Sequence, residues 1–393
     1  MGEHPRVEGR DIVCVGFADW DTELWTNQHH LLSRLARENQ VLFVESLGLR
    51  RPQLAGRDVA RIWRRLRRGL AGPRARDGVH VLSPLVLPLH RSRVARALNA
   101  RLLPALVGRA ARRLGMREPI LWAYVPQAEA LIDVLKPSLI VYHCVDDIAA
   151  QERIDTASFR AAEARFAARA DLVLASAPAL AARLRTVSDN VMDAPNVADT
   201  ELFARALQPS PPAPLDPAMA ALAAPRIVFT GAIVSIKLDM PLLVELARVR
   251  PSWSFALVGP VGPGDPRTDV SALEAEPNIH LLGPRAYAEL PDVLRAADAG
   301  LIPYARNELT ESIFPMKVYE YLAAGLPVVA TPLPALAGVA GVITGEGAQE
   351  IAGLLDRALA GDSPERRAER SRDAAAHSWD RRLEEIAAAI DAL

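Results

Sequence analysis

Short apolar runs recur along the chain, separated by longer amphipathic stretches. Before residue 207 they read DIVCVGF, VLFVES, VHVLS, PILWAY, LIVYHC and DLVLASA; after residue 225 they read RIVFTG, WSFALVG, NIHLLG, AGLIPY and PVVAT. Runs without polar alternation suit strands buried on both faces, and the helical stretches between them suit the crossovers that parallel strands need. The pattern predicts an α/β architecture with one parallel sheet in each half. Residues 207–225 hold six prolines and few groups that could pack, which reads as a linker. The expected organisation is two Rossmann-like domains facing a cleft, at 1–207 and 226–376, with a linker at 208–225. One more amphipathic helix follows in 377–393, with no strand after it. Open parallel sheets bind ligands beyond the carboxyl ends of their strands, so those loops are where site residues are sought.

Composition changes this picture little. Of 393 residues 50 % are hydrophobic and 24 % charged, and a net charge of −1 gives no global field favouring nucleic acid or membrane. Cys14 and Cys144 both lie in apolar runs and make neither a disulfide framework nor a metal site. Leu322 to Gly345 is uncharged, but Pro327, Pro332, Pro334 and several glycines argue against a spanning helix. The opening MGEHPRVEGRDIVCVGF lacks the layout of a signal peptide, and a cytoplasmic location is expected. A nicotinamide or flavin site is disfavoured too. The first run ends in GFADWDTELW rather than a G-x-G-x-x-G turn, no acid closes a second strand at the required distance, and the prolines of GPVGPGDP remove backbone donors.

Charge chemistry is more telling. The chain has three lysines, Lys136, Lys237 and Lys317, against 43 arginines. In FPMKVYEYLAAGLPVVATP, Pro315 suits a first helical position, and Gly325 with Pro327 suits the stop. Lys317 then falls in the first turn, where free N–H groups and the helix dipole favour an anion. Glu320 lies on the same face one turn on, and the pair could hold a phosphate and a neighbouring diol. An ordinary surface salt bridge is the competing reading. Lys136 ends a helix and reads as structural.

The same segment resembles the donor-binding segment of GT-B glycosyltransferases. The likeness continues through IVFTGAIVSIKLDMPLLVEL, NIHLLGPRAYAELPDVLRAADAGLIPY and LVLASAPALAARL to VMDAPNVADTELF, and covers about two thirds of the chain. It implies a nucleotide-sugar donor held by Gly231, Lys237, Arg285, Tyr304, Met316, Lys317 and Glu320, with the two lysines gripping the diphosphate. It also implies that the helix after HSWD crosses back to the first domain. No bound cofactor is implied, and no metal, because two lysines and a helix start can replace one at the diphosphate. The pattern is similar to bacterial polysaccharide- and glycolipid-assembling members, among them teichuronic-acid and xanthan glycosyltransferases, and points to a UDP-sugar. Many retaining members carry a second glutamate where this chain has Ser312; Glu308 and Glu311 are out of register. An inverting transfer is therefore expected, with a retaining enzyme of the same fold or a non-catalytic scaffold for a partner enzyme as alternatives.

An inverting transfer needs a general base near the acceptor hydroxyl. LIVYHCVDDIAA places Asp146 and Asp147 just past a strand, and likeness to a Tyr-x-x-x-Asp segment aligns Tyr142 with Asp146, the expected base. Asp147 suits a helix cap, and His143 suits a packed strand position. In DWDTELWTNQHH, Asp19, Asp21, Trp20, Trp25, His29 and His30 read either as a sugar platform or as a rigid loop edge. Residues 50–113 contain two arginine-rich amphipathic stretches, one with Val59, Ile62, Trp63, Leu66 and Leu70 on a face, the other with Leu98, Leu102 and Leu106. They read either as peripheral contacts with an anionic membrane, apt for a lipid-linked acceptor, or as helices packed on their sheet.

Overall fold

The computed structural model describes residues 7–22, 25–45, 72–84, 93–150, 154–208, 215–263, 265 and 267–393, those of 93–100 by backbone alone. The chain divides into two compact units, Met1–Pro195 with Leu383–Leu393, and Asn196–Arg382.

The first unit is built on strands β1 (Asp11–Val15), β2 (Gln40–Val44), β3 (Arg74–Arg76), β4 (Val79–Leu82), β5 (Ile120–Ala123), β6 (Leu139–Cys144), β7 (Leu172–Ala175) and β8 (Val191–Asp193). Their order across the sheet is β3-β4-β2-β1-β5-β6-β7-β8, parallel except for β3, which forms a hairpin with β4. Asp77 and Gly78, both at positive φ, make its turn, the usual chemistry of a tight hairpin. The six predicted apolar runs are the six inner strands. β3 and β8 carry no apolar run, because both are three-residue edge strands with exposed positions.

The second unit holds β9 (Arg226–Thr230), β10 (Ser254–Val258), β11 (Ile279–Leu281), β12 (Ala299–Ile302), β13 (Val328–Ala330) and β14 (Val342–Thr344). All pair in parallel in the order β11-β10-β9-β12-β13-β14. The first strand thus sits in the middle, with connections leaving in opposite directions on either side. In such a doubly wound sheet the crevice opens between the carboxyl ends of β9 and β12. β14 escaped the hydrophobic pattern because it is a mostly exposed edge.

The second unit begins earlier than the linker composition suggests. The helix Thr200–Ala204 packs on the helix Lys317–Ala323. Residues 209–214 lie outside the described residues, but Met219 is fully buried and Asp216 caps the short helix Pro217–Ala220. Proline there opens a helix rather than a linker. The terminal helix Trp379–Asp391 follows, and its residues from Leu383 group with the first unit.

The arginine-rich stretch at 50–71 lies outside the described residues. In the helix Arg93–Arg113, Leu103, Val107, Ala110 and Ala111 are among the buried positions of the described side chains, while Leu102 is 41 % exposed. Its packed face is therefore not the one through Leu102 and Leu106. Gly108 allows that packing, since a Cβ there would stand 2.4 Å from Val134.

Candidate functional site

The loops after β9 and β12 are tied together by backbone bonds. Leu238 pairs with Tyr304 in an antiparallel bridge, Ala305 N–H donates to the Lys237 carbonyl at 2.8 Å, and Asp239 N–H donates to that of Pro303 at 2.9 Å. The side chain of Asn307 donates to the Ile236 carbonyl at 2.9 Å. Lys237 and Tyr304 thus sit opposite one another on two loops held in register at the switch point.

Glycine is required where the backbone comes closest. Gly231 directly follows β9 at φ +125°, and Gly259 follows β10 at φ +157°. A Cβ on Gly259 would stand 1.9 Å from the Gly231 carbonyl oxygen, so only glycine fits. The side chain of Lys317 lies over Gly231, where an added Cβ would meet its Cε at 2.6 Å and its Nζ at 2.7 Å. The ammonium also stands 5.4 Å from the centroid of Phe229, within cation–π range. Tyr304 packs edge-on to the same phenyl ring.

Lys317 opens the helix Lys317–Ala323, of only seven residues. Pro315 lies two residues before it rather than at its first position, and Met316 occupies the N-cap in helical geometry. With so few aligned peptides the helix dipole is small, and the charge offered to an anion is chiefly that of Lys317 itself. The helix ends in a Schellman motif: Gly325 is at φ +78°, its N–H donates to the Leu322 carbonyl, and Leu326 N–H donates to that of Tyr321. Tyr321 locks the helix to β9 by accepting from Thr230 N–H at 2.7 Å, and its ring lies against Gly300 of β12.

Glu320 lies one turn beyond Lys317 and is 5 % exposed. Burial pushes its pKa from the ordinary 4.5 up to about 7, with Lys317 opposing the shift. A half-buried ammonium beside a buried carboxyl is not a solvated surface salt bridge.

Of the other predicted donor residues, Gly231 lies under Lys317, Tyr304 packs on the Phe229 ring that Lys317 faces, the Lys237 loop pairs with the Tyr304 loop, Met316 directly precedes Lys317, and Arg285 is engaged elsewhere. Its guanidinium pairs with Asp216 at 2.6 Å and donates to the Leu282 and Pro284 carbonyls, tying 215–220 to the loop after β11. That pairing holds the Asp216 carboxyl below its usual range. Ser312 is buried, while Glu308 and Glu311 are exposed.

In the first unit, Asp146 is half-buried immediately after β6. The loop around it is pinned on both sides: Ser176 Oγ donates to the Val145 carbonyl at 2.7 Å, and Arg160 pairs with Asp147. Asp147 is thus an ion-pair partner rather than a helix cap; Asp155 caps the next helix. Tyr142 is buried and donates to Glu163, which also binds Arg183 and Arg160, so it belongs to a buried charge network beneath the loop. His143 is packed, stacked 4.9 Å from Tyr124.

The loop after β1 is a rigid edge at Trp20. That residue is 2 % exposed, its indole donates to Asp77 at 3.1 Å, and its ring packs on Phe43 and His29. Trp25 stacks on His29 and packs edge-on to His30. Burial depresses both histidines, His30 to about 3, so both are neutral at physiological pH.

Sequence reasoning missed Phe229, Tyr321 and Gly259, whose roles depend on which strand ends become neighbours. A cavity of about 730 Å³ in the second unit lies beside Pro225 and Asp298, at the amino ends of β9 and β12, away from Lys317; its Arg367 is tied to Asp362 and the Asp298 carbonyl.

Two units, each built on a mainly parallel α/β sheet, give this chain the GT-B fold. Residues 224–361 match the family described as Glycosyl transferases group 1. TuaH of Bacillus subtilis, assigned to teichuronic acid biosynthesis as a glycosyltransferase, is 39 % identical over 100 residues, which is 25 % of this chain and 24 % of that protein. Solved structures share the fold across almost the whole chain. HepE of Anabaena in complex with UDP-glucose has a TM-score of 0.68 at 17 % identity, covering 98 % of this chain and 100 % of that one. Sucrose-phosphate synthase of Thermosynechococcus elongatus has a TM-score of 0.67 at 16 % identity, covering 96 % and 97 %.

Proposed function

We propose that this protein is a glycosyltransferase that moves a sugar from a UDP-sugar to a hydroxyl of a saccharide or lipid-linked acceptor. The observation that carries the reading is Lys317 lying over Gly231 beside the buried carboxyl of Glu320. Lys317 and Lys237 bind the diphosphate, and Glu320 accepts from the ribose hydroxyls. UDP is favoured because HepE was solved with UDP-glucose, and the E. coli trehalose-6-phosphate protein of the same fold with UDP-2-fluoro glucose.

The transfer inverts the anomeric centre. Asp146 takes the proton of the acceptor hydroxyl, its oxygen bonds to the anomeric carbon, and the bond to the diphosphate breaks with its electron pair leaving on UDP. The lysines stabilise that developing charge without a metal ion. Acceptor access at a bilayer would use the outer face of the helix Arg93–Arg113, where Arg101, Arg109, Arg112 and Arg113 flank exposed Leu102. Among the described residues no helix is long and apolar enough to cross a membrane.

The test is a panel of nucleotides and nucleotide-sugars scored by thermal stabilisation, followed by donor hydrolysis without acceptor. UDP and one UDP-sugar should stabilise, and that donor should be slowly hydrolysed. Stabilisation by no nucleotide would overturn the reading, and binding without any turnover would favour a non-catalytic scaffold.

A further inference from the structure

The helix that carries Lys317 and Glu320 has no side-chain cap at its start. Its first turn bonds back only as far as Pro315 and Met316, because Val318 N–H donates to the Pro315 carbonyl at 3.2 Å and Glu320 N–H to that of Met316 at 3.3 Å. The Phe314 carbonyl is thus left outside the helix. It is satisfied from far along the chain by the side-chain amide of Asn196, which is 8 % exposed and donates at 3.0 Å. Phe314 is itself buried and stacks on Tyr319, with ring centroids 5.6 Å apart and planes 19° from parallel. Tyr319 in turn stacks on His377 at 4.1 Å and 17°. The two outside groups share one anchor: Ala198 N–H donates to the His377 carbonyl at 3.2 Å, and Ala198 bridges to Ser378.

These contacts fix the direction in which the chain enters the helix. A side-chain cap would accept from a first-turn N–H; here the entry to the helix is instead tied by a donor to the Phe314 carbonyl, supplied by the first residue of the unit. We propose that Asn196 is a positioning residue for the donor: by holding the Phe314 carbonyl it sets the turn that presents Lys317, with the Phe314–Tyr319–His377 stack as the second support. The role rests on the donor-site reading above. An unpaired buried carbonyl is costly, and the turn can relieve that cost by rotating its carbonyl towards water, taking Lys317 off Gly231.

The test is a double-mutant cycle on UDP affinity measured by calorimetry, using the full chain, Asn196→Leu, Lys317→Ala and the combination. Asn196→Leu removes the donor at similar volume without adding charge. It should weaken UDP binding about tenfold in the parent and less than about twofold when Lys317 is already absent. General loosening of the fold would cost the same in both backgrounds, and that equality would overturn the proposal. Unchanged affinity in Asn196→Leu while Lys317→Ala binds poorly would also overturn it and leave the donor site standing. Unchanged affinity in Lys317→Ala would remove the donor site itself. If Asn196→Leu does not fold, Asn196→Ser, whose hydroxyl is too short to reach the carbonyl from the same backbone, enters the same cycle with the same expectations.

Discussion

Lys317 and Gly231 are matched partners: the side chain of one occupies the space that a Cβ on the other would fill, 2.6 Å from Cε and 2.7 Å from Nζ. Gly231→Ala should therefore displace the ammonium as well as strain a backbone at φ +125°. UDP affinity should fall about tenfold, with a thermal midpoint a few degrees lower in the absence of nucleotide. An alanine variant that binds UDP as the parent does would show that the lysine's place over the glycine is unimportant.

Glu320 gives the second unit a pH dependence of known sign. Its folded pKa is raised from 4.5 to about 7, so the fold favours the protonated form. That contribution is fully present below about pH 4.5 and is lost as the pH rises to about 7. Glu320→Gln keeps a neutral side chain of the same size and escapes the loss. Relative to the parent, the variant should gain on the order of 3 kcal/mol between those limits, read as a gap in thermal midpoint that widens with pH. A gap that stays constant across that range would mean that the carboxyl is not perturbed by burial.

The two aspartates after β6 should separate by function. Asp146→Asn should leave UDP affinity intact and lower turnover by roughly two to four orders of magnitude, the scale of a positioned base. Product from an α-linked donor should be β-linked. Asp147→Asn breaks the pair with Arg160, whose side chain is 27 % exposed, and should cost about 1–3 kcal/mol of stability with little effect on UDP affinity. An active Asp146→Asn protein, or an α-linked product, would contradict the assigned base.

If the outer face of the helix Arg93–Arg113 meets a membrane as proposed, sedimentation with vesicles containing anionic lipid should be strong at low salt and fall as salt screens the charge. Replacing Arg101, Arg109, Arg112 and Arg113 by Gln should weaken it severalfold. Binding that persists in that variant would exclude this helix face.

The sequence announced the sheets and the lysine–glutamate pair because both depend on local pattern. Buried strands show as apolar runs, and Lys317 stands out among 43 arginines. What it could not show was pairing between distant loops. Arg285 lies near donor-binding positions in the chain but is taken up by Asp216, 69 residues away. Asn196 bonds Phe314 across 118 residues with no periodicity to mark it. Asp147 looked like a cap because a helical turn follows, yet Arg160 from the next helix claims it. β3, β8 and β14 were invisible for a simpler reason: edge strands need no apolar run.

Lys317 is proposed as the charge that holds the donor diphosphate, and calorimetric titration of UDP into the parent and Lys317→Ala tests that role most directly. A charged contact to phosphate partly withdrawn from water is worth about 1.5–3 kcal/mol, so affinity should drop roughly 10- to 100-fold while uridine binding changes little. Unchanged affinity for every nucleoside diphosphate in Lys317→Ala and in Lys237→Ala would contradict the account.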